Sequence, residues 1–327
     1  MKRLISAAVI AAFATLASFA QTPTSDGFEF EPTGTYLFCK RDTCDLFLDV
    51  YEPAPGSETH ITSDGKSLRK PTVIYVFGGG FKEGSRNSAY QKPYFKMLCD
   101  AGYGVAAIDY RLGLKDFDQP GVNIQSANAL YDAIQIAVED LFEATAFILD
   151  NESQIGINTS SIVVCGSSAG AITALQAEWE ICNGHPIASR LPEGFNYSGI
   201  MSFSGAIFSR EGALRYPVEP CPHFMCHGTA DKIVVYNQIA FMKMRFAGTD
   251  PITKVFAQNG FCYQTWRFEG NMHEISASLI RNFPEEIRFL EENVIKGVRR
   301  NIDATVKDPS IDIPSWARTD YKDLYRK

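Results

Sequence analysis

Residues 161–173 read SIVVCGSSAGAIT. Ile162 to Cys165 form a short apolar run rich in β-branched residues, as expected for a strand buried on both faces. The run passes into Gly166-Ser167-Ser168-Ala169-Gly170 and then into helix-forming sequence from Ala169 to Cys182. Glycines at 166 and 170 frame Ser168 in the spacing G-x-S-x-G. A strand that turns straight into a helix strains the middle residue, and side chains two places before and after it would collide. The spacing therefore selects Ser168 as the candidate nucleophile, held above the end of a sheet. The turn also leaves the N–H of Ala169 and a helix N-terminus facing the same space. Ser167 has no such glycine frame and reads as a small structural turn residue.

The flanking sequence supplies more strands of the same kind. Thr72–Phe77 (TVIYVF) and Gly104–Tyr110 (GVAAIDY) are short and almost wholly apolar, and Gly199–Phe203, His223–Cys226 and Gln264–Phe268 read as further strands. Helix-like stretches at about Ser88–Ala101, Ser126–Asn151 and Pro284–Val298 alternate with them. Such alternation implies an α/β fold, with a mostly parallel central sheet and helices on both faces. Residues 28–52 read as an antiparallel strand pair with its tip at Arg41-Asp42-Thr43, and residues 53–70 as a surface loop. No composition break, repeat or low-complexity tract divides the chain. The reading is a leader over residues 1–20, one catalytic domain over 21–298 and a polar, irregular tail over 299–327.

The chain has 327 residues, 45% hydrophobic and 21% charged, which is an ordinary globular composition. A net charge of −7 argues against nucleic acid or an anionic membrane surface as a partner. Lys2 and Arg3 precede an apolar run from Leu4 to Ala17, and Ser18-Phe19-Ala20 offers small residues to a signal peptidase. That run is short for a membrane span, so no stable membrane insertion is expected. The expectation is cleavage after Ala20 and a secreted or periplasmic mature protein. Of the eight cysteines, Cys39 and Cys44 could approach each other across the hairpin, and Cys165 reads as a buried free thiol. Cys221 and Cys226 on one extended strand would stand about 16 Å apart, too far to bond. No cysteine or histidine cluster has zinc spacing, and neither metal nor cofactor is expected.

A serine hydroxyl needs a base and a cradle for the oxyanion. Gly78-Gly79-Gly80 ends a buried strand, and glycines let backbone N–H groups come close to a ligand. Among the five histidines, His60 and His185 sit in polar loops, and His223 and His227 border the strand HFMC. His273 lies just past the Gln264–Phe268 strand in 269-EGNMHEI-275, and Asp231 follows HFMC in 227-HGTADKIV-234. Each falls beyond a strand end, where sites in such sheets gather. The order Ser168, Asp231, His273 matches one known arrangement of such triads.

Taken together these pieces resemble α/β-hydrolase carboxylesterases, close to the hormone-sensitive-lipase-like and bacterial acetylxylan/feruloyl esterase groups. The resemblance rests on DLFLDVYEP, VIYVFGGGFKEGS, IDYRL, EDLFEATAFI, VVCGSSAGA, HGTAD and GNMHE, which span most of the chain after the leader. It implies Ser168 as nucleophile, His273 as general base and Asp231 as its orienter. Gly79, Gly80 and Ala169 would supply the oxyanion N–H groups. One position departs from the pattern: Phe77 stands where these families place a histidine that steadies the glycine loop.

The segment between Phe203 and His223 is too short for a large lid, so an open site for a small or polymer-borne ester is expected. Phe117, Pro120, Phe195 and Tyr197 are candidates either for an acyl pocket or for plain packing. A prolyl-oligopeptidase-like serine peptidase shares the core but lacks room here for its usual N-terminal propeller. A non-catalytic binding module on the same fold would ordinarily lack a triad member.

Overall fold

The computed structural model describes residues 28–61, 65–118 and 121–324, so the expected leader and Pro120 lie outside the described residues. The chain opens with β1 (Gly34–Lys40) and β2 (Asp45–Tyr51), antiparallel as expected, and a small hairpin follows in the surface loop, β3 (Thr59–Ile61) with β4 (Ser67–Arg69). Then come β5 (Thr72–Val76), α1 (Lys92–Asp100), β6 (Gly104–Ile108) and the long α2 (Ile124–Asp150). Asn123 and Ser126 close a reciprocal capping box at the start of α2. The next elements are β7 (Ile162–Ser167), α3 (Ala169–Asn183), β8 (Gly199–Phe203), β9 (Ala206–Ser209) and β10 (His223–Gly228). The chain continues through β11 (Gln238–Phe241), β12 (Met244–Gly248), α4 (Thr249–Asn259), β13 (Tyr263–Phe268), α5 (Phe283–Phe289) and β14 (Ile302–Val306).

A nine-stranded sheet runs in the order β1-β2-β6-β5-β7-β8-β10-β13-β14. It is parallel from β6 to β14, and antiparallel only where β2 meets β1 and β6. Every residue of β5, β6, β8 and β10 is buried, which is why those strands lack the apolar–polar alternation of a one-sided sheet. The path runs from β5 toward the β1 edge to make β6, then reverses past β5 to make β7. Right-handed crossovers in opposite directions place α1 and α2 on opposite faces. On one face Tyr94 of α1 stands edge-on to Phe283 and donates its hydroxyl to the Glu286 carboxyl of α5. On the other, Gln135 of α2 donates to Glu180 of α3 at 2.7 Å.

The reversal leaves a crevice at the carboxyl ends of β5 and β7, the place where open α/β sheets bind ligands. Gly78–Gly80 follow β5 and Ser168 follows β7, so both line this switch point.

Three parts of the sequence reading need correction. Residues 299–324, the described part of the expected tail, are not irregular, because β14 pairs in parallel with β13 as the ninth strand. Its side chains alternate between half-buried and exposed, the pattern of an edge strand, and so lack the continuous apolar run that marks the inner strands. The connection after β8 holds β9, which joins β11 and β12 in a separate three-stranded sheet. The helix expected over Pro284–Val298 is α-helical only to Phe289 and continues as π-helix through Ile295.

Cys39 lies opposite Leu46, not Cys44, and both thiols are free. Cys165 is a buried free thiol, as are Cys221 and Cys226. Tyr197 is buried with its hydroxyl 2.9 Å from Thr145 Oγ1 of α2, and Phe195 stands edge-on against it. Tyr197 thus belongs to the core, with Phe195 packed against it. Among the described residues no helix is long and apolar enough to cross a membrane.

Candidate active site

Ser168 adopts φ 52° and ψ −116°, a conformation that L-residues rarely take. The two framing glycines make the turn possible for different reasons. A Cβ on Gly170 would fall 2.0 Å from the Val76 carbonyl oxygen of β5. A Cβ on Gly166 would fall 2.2 Å from the carbonyl oxygen of Gly170. The glycines thus let the new helix start against the neighbouring strand and against its own turn. Ser168 N–H donates to Phe203 O at 2.9 Å, which pins the turn to β8.

Ser168 Oγ is 2.8 Å from His273 Nε2, and His273 Nδ1 is 2.7 Å from Asp231 Oδ2. The three expected residues therefore form one hydrogen-bonded line at the ends of β7, β10 and β13. Asp231 Oδ1 accepts the N–H groups of Ile233 at 2.9 Å and Val234 at 3.1 Å. Burial pushes the Asp231 carboxyl toward its neutral form, but His273 and His227 together hold it well below the usual carboxylate range. The carboxylate is thus a fixed negative charge behind the imidazole, and it sets the tautomer with Nε2 free to accept the serine proton.

His227 is a partner that the sequence reading left unassigned. Its Nε2 is 3.3 Å from Asp231 Oδ2 and 2.9 Å from Val234 O, while Nδ1 meets Thr249 Oγ1 at 2.8 Å. It sits four residues before Asp231 at the end of β10, close enough for the strand end to have suggested it.

The base loop is tied on three sides. Glu274 accepts from Asn271 Nδ2 at 2.8 Å and from Met272 N–H at 2.9 Å. Ala230 N–H donates to Asn271 O at 2.9 Å, and a Cβ on Gly228 would fall 2.3 Å from Met272 O, so the acid and base loops meet backbone to backbone. Ser167 Oγ donates to Ser276 O at 2.7 Å. Its role is structural, as expected, and specific: it fastens the serine turn to the histidine loop.

Gly79 and Gly80 take φ 122° and 64°, and Gly79 O accepts the N–H groups of Lys82 at 3.1 Å and Glu83 at 3.2 Å. A Cβ on Gly78 would lie 3.2 Å from the Ser168 Cβ, so this backbone passes directly beside the serine. Among the described residues no backbone carbonyl accepts from Gly79 or Gly80, which leaves their N–H groups available to an oxyanion. Ala169 N–H, in the first turn of α3, has no partner within that helix. Phe77 is buried and stacks on Tyr110 with centroids 4.4 Å apart. Tyr110 donates its hydroxyl to Phe77 O at 3.0 Å, and Phe81 packs edge-on against the same ring. An aromatic clamp thus occupies the place of the family's histidine.

The descriptions of known proteins agree with this architecture. The family model BD-FAE matches residues 59–180, from β3 into α3, including the glycine loop and Ser168. The chain superposes on esterase 2 of Thermogutta terrifontis with a TM-score of 0.53, covering 82% of this chain and 97% of that one at 21% identity. This chain has the α/β-hydrolase fold. Neuroligin-2 of Rattus norvegicus is 28% identical to this chain over 158 residues, 43% of this chain and 17% of that one. Gut esterase 1 of Caenorhabditis elegans is 29% identical over 118 residues, 36% of this chain and 20% of that one. The chain thus spans about a fifth of the length of these curated relatives.

Proposed function

We propose that this α/β-hydrolase is a serine carboxylesterase acting through Ser168, His273 and Asp231. The observation that carries the reading is the line from Ser168 Oγ through the His273 ring to Asp231, with bonds of 2.8 and 2.7 Å, beside free glycine N–H groups. The kinship with BD-FAE and Gut esterase 1 supports ester bonds as the target.

Ser168 Oγ attacks the ester carbonyl as His273 Nε2 takes its proton. The oxyanion forms against Gly79, Gly80 and Ala169. When the carbonyl re-forms, the bond to the alcohol oxygen breaks and His273 returns the proton to that oxygen. Water then repeats the sequence on the acyl-serine and releases the acid. Asp231 remains ionised throughout and stabilises the imidazolium.

The leader expected over residues 1–20 makes the enzyme an exported one, and we extend the proposal to polymer-borne esters such as acylated plant polysaccharide. A panel of acetyl, butyryl and feruloyl esters alongside acetylated xylan tests the acyl and alcohol preference. A fluorophosphonate probe tests the mechanism: it labels the wild type and leaves Ser168→Ala unlabelled. Ser168→Ala and His273→Ala lose about a thousandfold or more in kcat/KM. A wild type that neither reacts with the probe nor turns over any ester overturns the esterase reading and favours a binding module on the same fold.

A further inference from the structure

The segment after β14 returns to the catalytic face. Glu269 N–H donates to Val306 O at 2.9 Å and Lys307 pairs with Glu269 at 2.9 Å, where the histidine loop begins. Asp308 pairs with Arg281 at 2.9 Å, just beyond the same loop. Farther along, Tyr321 N–H donates to Lys232 O at 2.8 Å, next to Asp231. Between these anchors Ser315–Arg318 form a single 3-10 turn whose Ala317 is fully buried. Trp316 on this turn stands perpendicular to the His273 ring, centroids 6.2 Å apart, and is half-buried. The segment is therefore a strap tied to both the acid and the base loops, with one indole held against the catalytic imidazole.

We propose that Trp316 is a specificity-determining residue that receives the alcohol half of the ester and favours alcohols carrying a flat-faced ring. This rests on the serine esterase reading above. In that mechanism His273 Nε2 hands its proton to the departing alkoxide, so the alcohol is the part of the substrate that must lie against the imidazole. An indole standing perpendicular to that ring with centroids 6.2 Å apart is near enough to meet the alcohol as well. A partly exposed indole offers that moiety a rigid apolar face with little rotamer freedom to lose. A sugar ring presents its C–H face to the indole and an aryl ring its π-face; both are served by the same surface. An open-chain alcohol covers much less of it.

The test uses acetates that differ only in the alcohol, because they share one acetyl-enzyme. Wild type, Trp316→Ala and Trp316→Phe are compared on an acetylated methyl xyloside, benzyl acetate, ethyl acetate and triacetylglycerol. The deacetylation step is measured separately from the burst with nitrophenyl acetate. The expected result is that Trp316→Ala loses about tenfold in kcat/KM on the two ring alcohols, with ethyl acetate and the deacetylation rate nearly unchanged. Trp316→Phe recovers most of the benzyl acetate rate. The relative loss on xyloside and benzyl esters tells which kind of ring the site prefers.

A uniform loss on all four acetates together with slowed deacetylation overturns the proposal, since it would show that Trp316 only props His273. An unchanged ring preference in Trp316→Ala overturns it as well. Wild type inert toward every acetate and toward the fluorophosphonate removes the esterase reading itself, an outcome separate from the other two.

Discussion

His223 shows how a single buried residue gives this fold a pH limit. It lies in the middle of the sheet at the start of β10, fully buried against Phe256, with Nδ1 2.8 Å from Cys221 O and Nε2 without a partner. Burial lowers its pKa from 6.5 to about 4. The folded state therefore resists a proton that the unfolded chain takes up once pH falls below about 6.5. Stability is full above that value and declines as pH falls toward 4, by up to about 3 kcal/mol for a shift of this size. Urea unfolding between pH 7 and 4 should show this decline, and His223→Phe should flatten it even though it lowers the plateau. Asp231, held ionised by its two histidines, acts in the same direction at more acid pH. Buried Glu286 acts oppositely: its raised pKa contributes stability at low pH that is lost as pH rises.

At the scale of elements, the glycine loop depends on the Phe77–Tyr110–Phe81 clamp. Phe81 takes φ 60°, and its carbonyl accepts Leu114 N–H at 2.9 Å, so the loop holds a strained residue in place through its neighbours. Tyr110→Phe leaves the stacked ring and strands the buried Phe77 carbonyl, a loss of about 1–3 kcal/mol in local order. On the proposed mechanism the loop matters most when the oxyanion is present, so kcat should fall about tenfold with little change in KM. Steady-state kinetics on nitrophenyl acetate would check this, and a fall in KM affinity alone would contradict it.

The serine turn was legible in the sequence because its constraints are local: the glycines at 166 and 170, the strand before and the helix after all fall within a few residues. The placement of Asp231 and His273 beside Ser168 was legible because both follow strand ends. The clamp was not, since Tyr110 meets Phe77 only after β5 and β6 pair. β14 and the β9–β12 pairing were missed for the same reason. Their strands are short, partly polar and defined by partners far along the chain, so no apolar run marks them.

Over the whole molecule, the strap makes residues 299–324 part of the sheet and of the face that carries Ser168 and His273. Ending the chain at residue 298 removes β14, unmakes the Arg267–Asp303 and Arg281–Asp308 pairs and bares the β13 edge. The expected result is a loss of at least about 3 kcal/mol in thermal or urea unfolding, from the buried apolar side chains and ladder bonds removed. Uncovering an inner strand should also bring concentration-dependent association, visible in size-exclusion chromatography. A truncated chain as stable and monodisperse as the full one would show that the sheet closes without its ninth strand.

The strap also sets a clock. Ser168, Asp231 and His273 are all synthesised well before Trp316 and Tyr321, and ribosomes add roughly 5–20 residues per second. During that interval the growing chain holds all three residues of the Ser168–His273–Asp231 line, yet it lacks the last strand and the turn that brace the loops carrying them. The loops that carry Asp231 and His273 are therefore braced only after Trp316 and Tyr321 have been made.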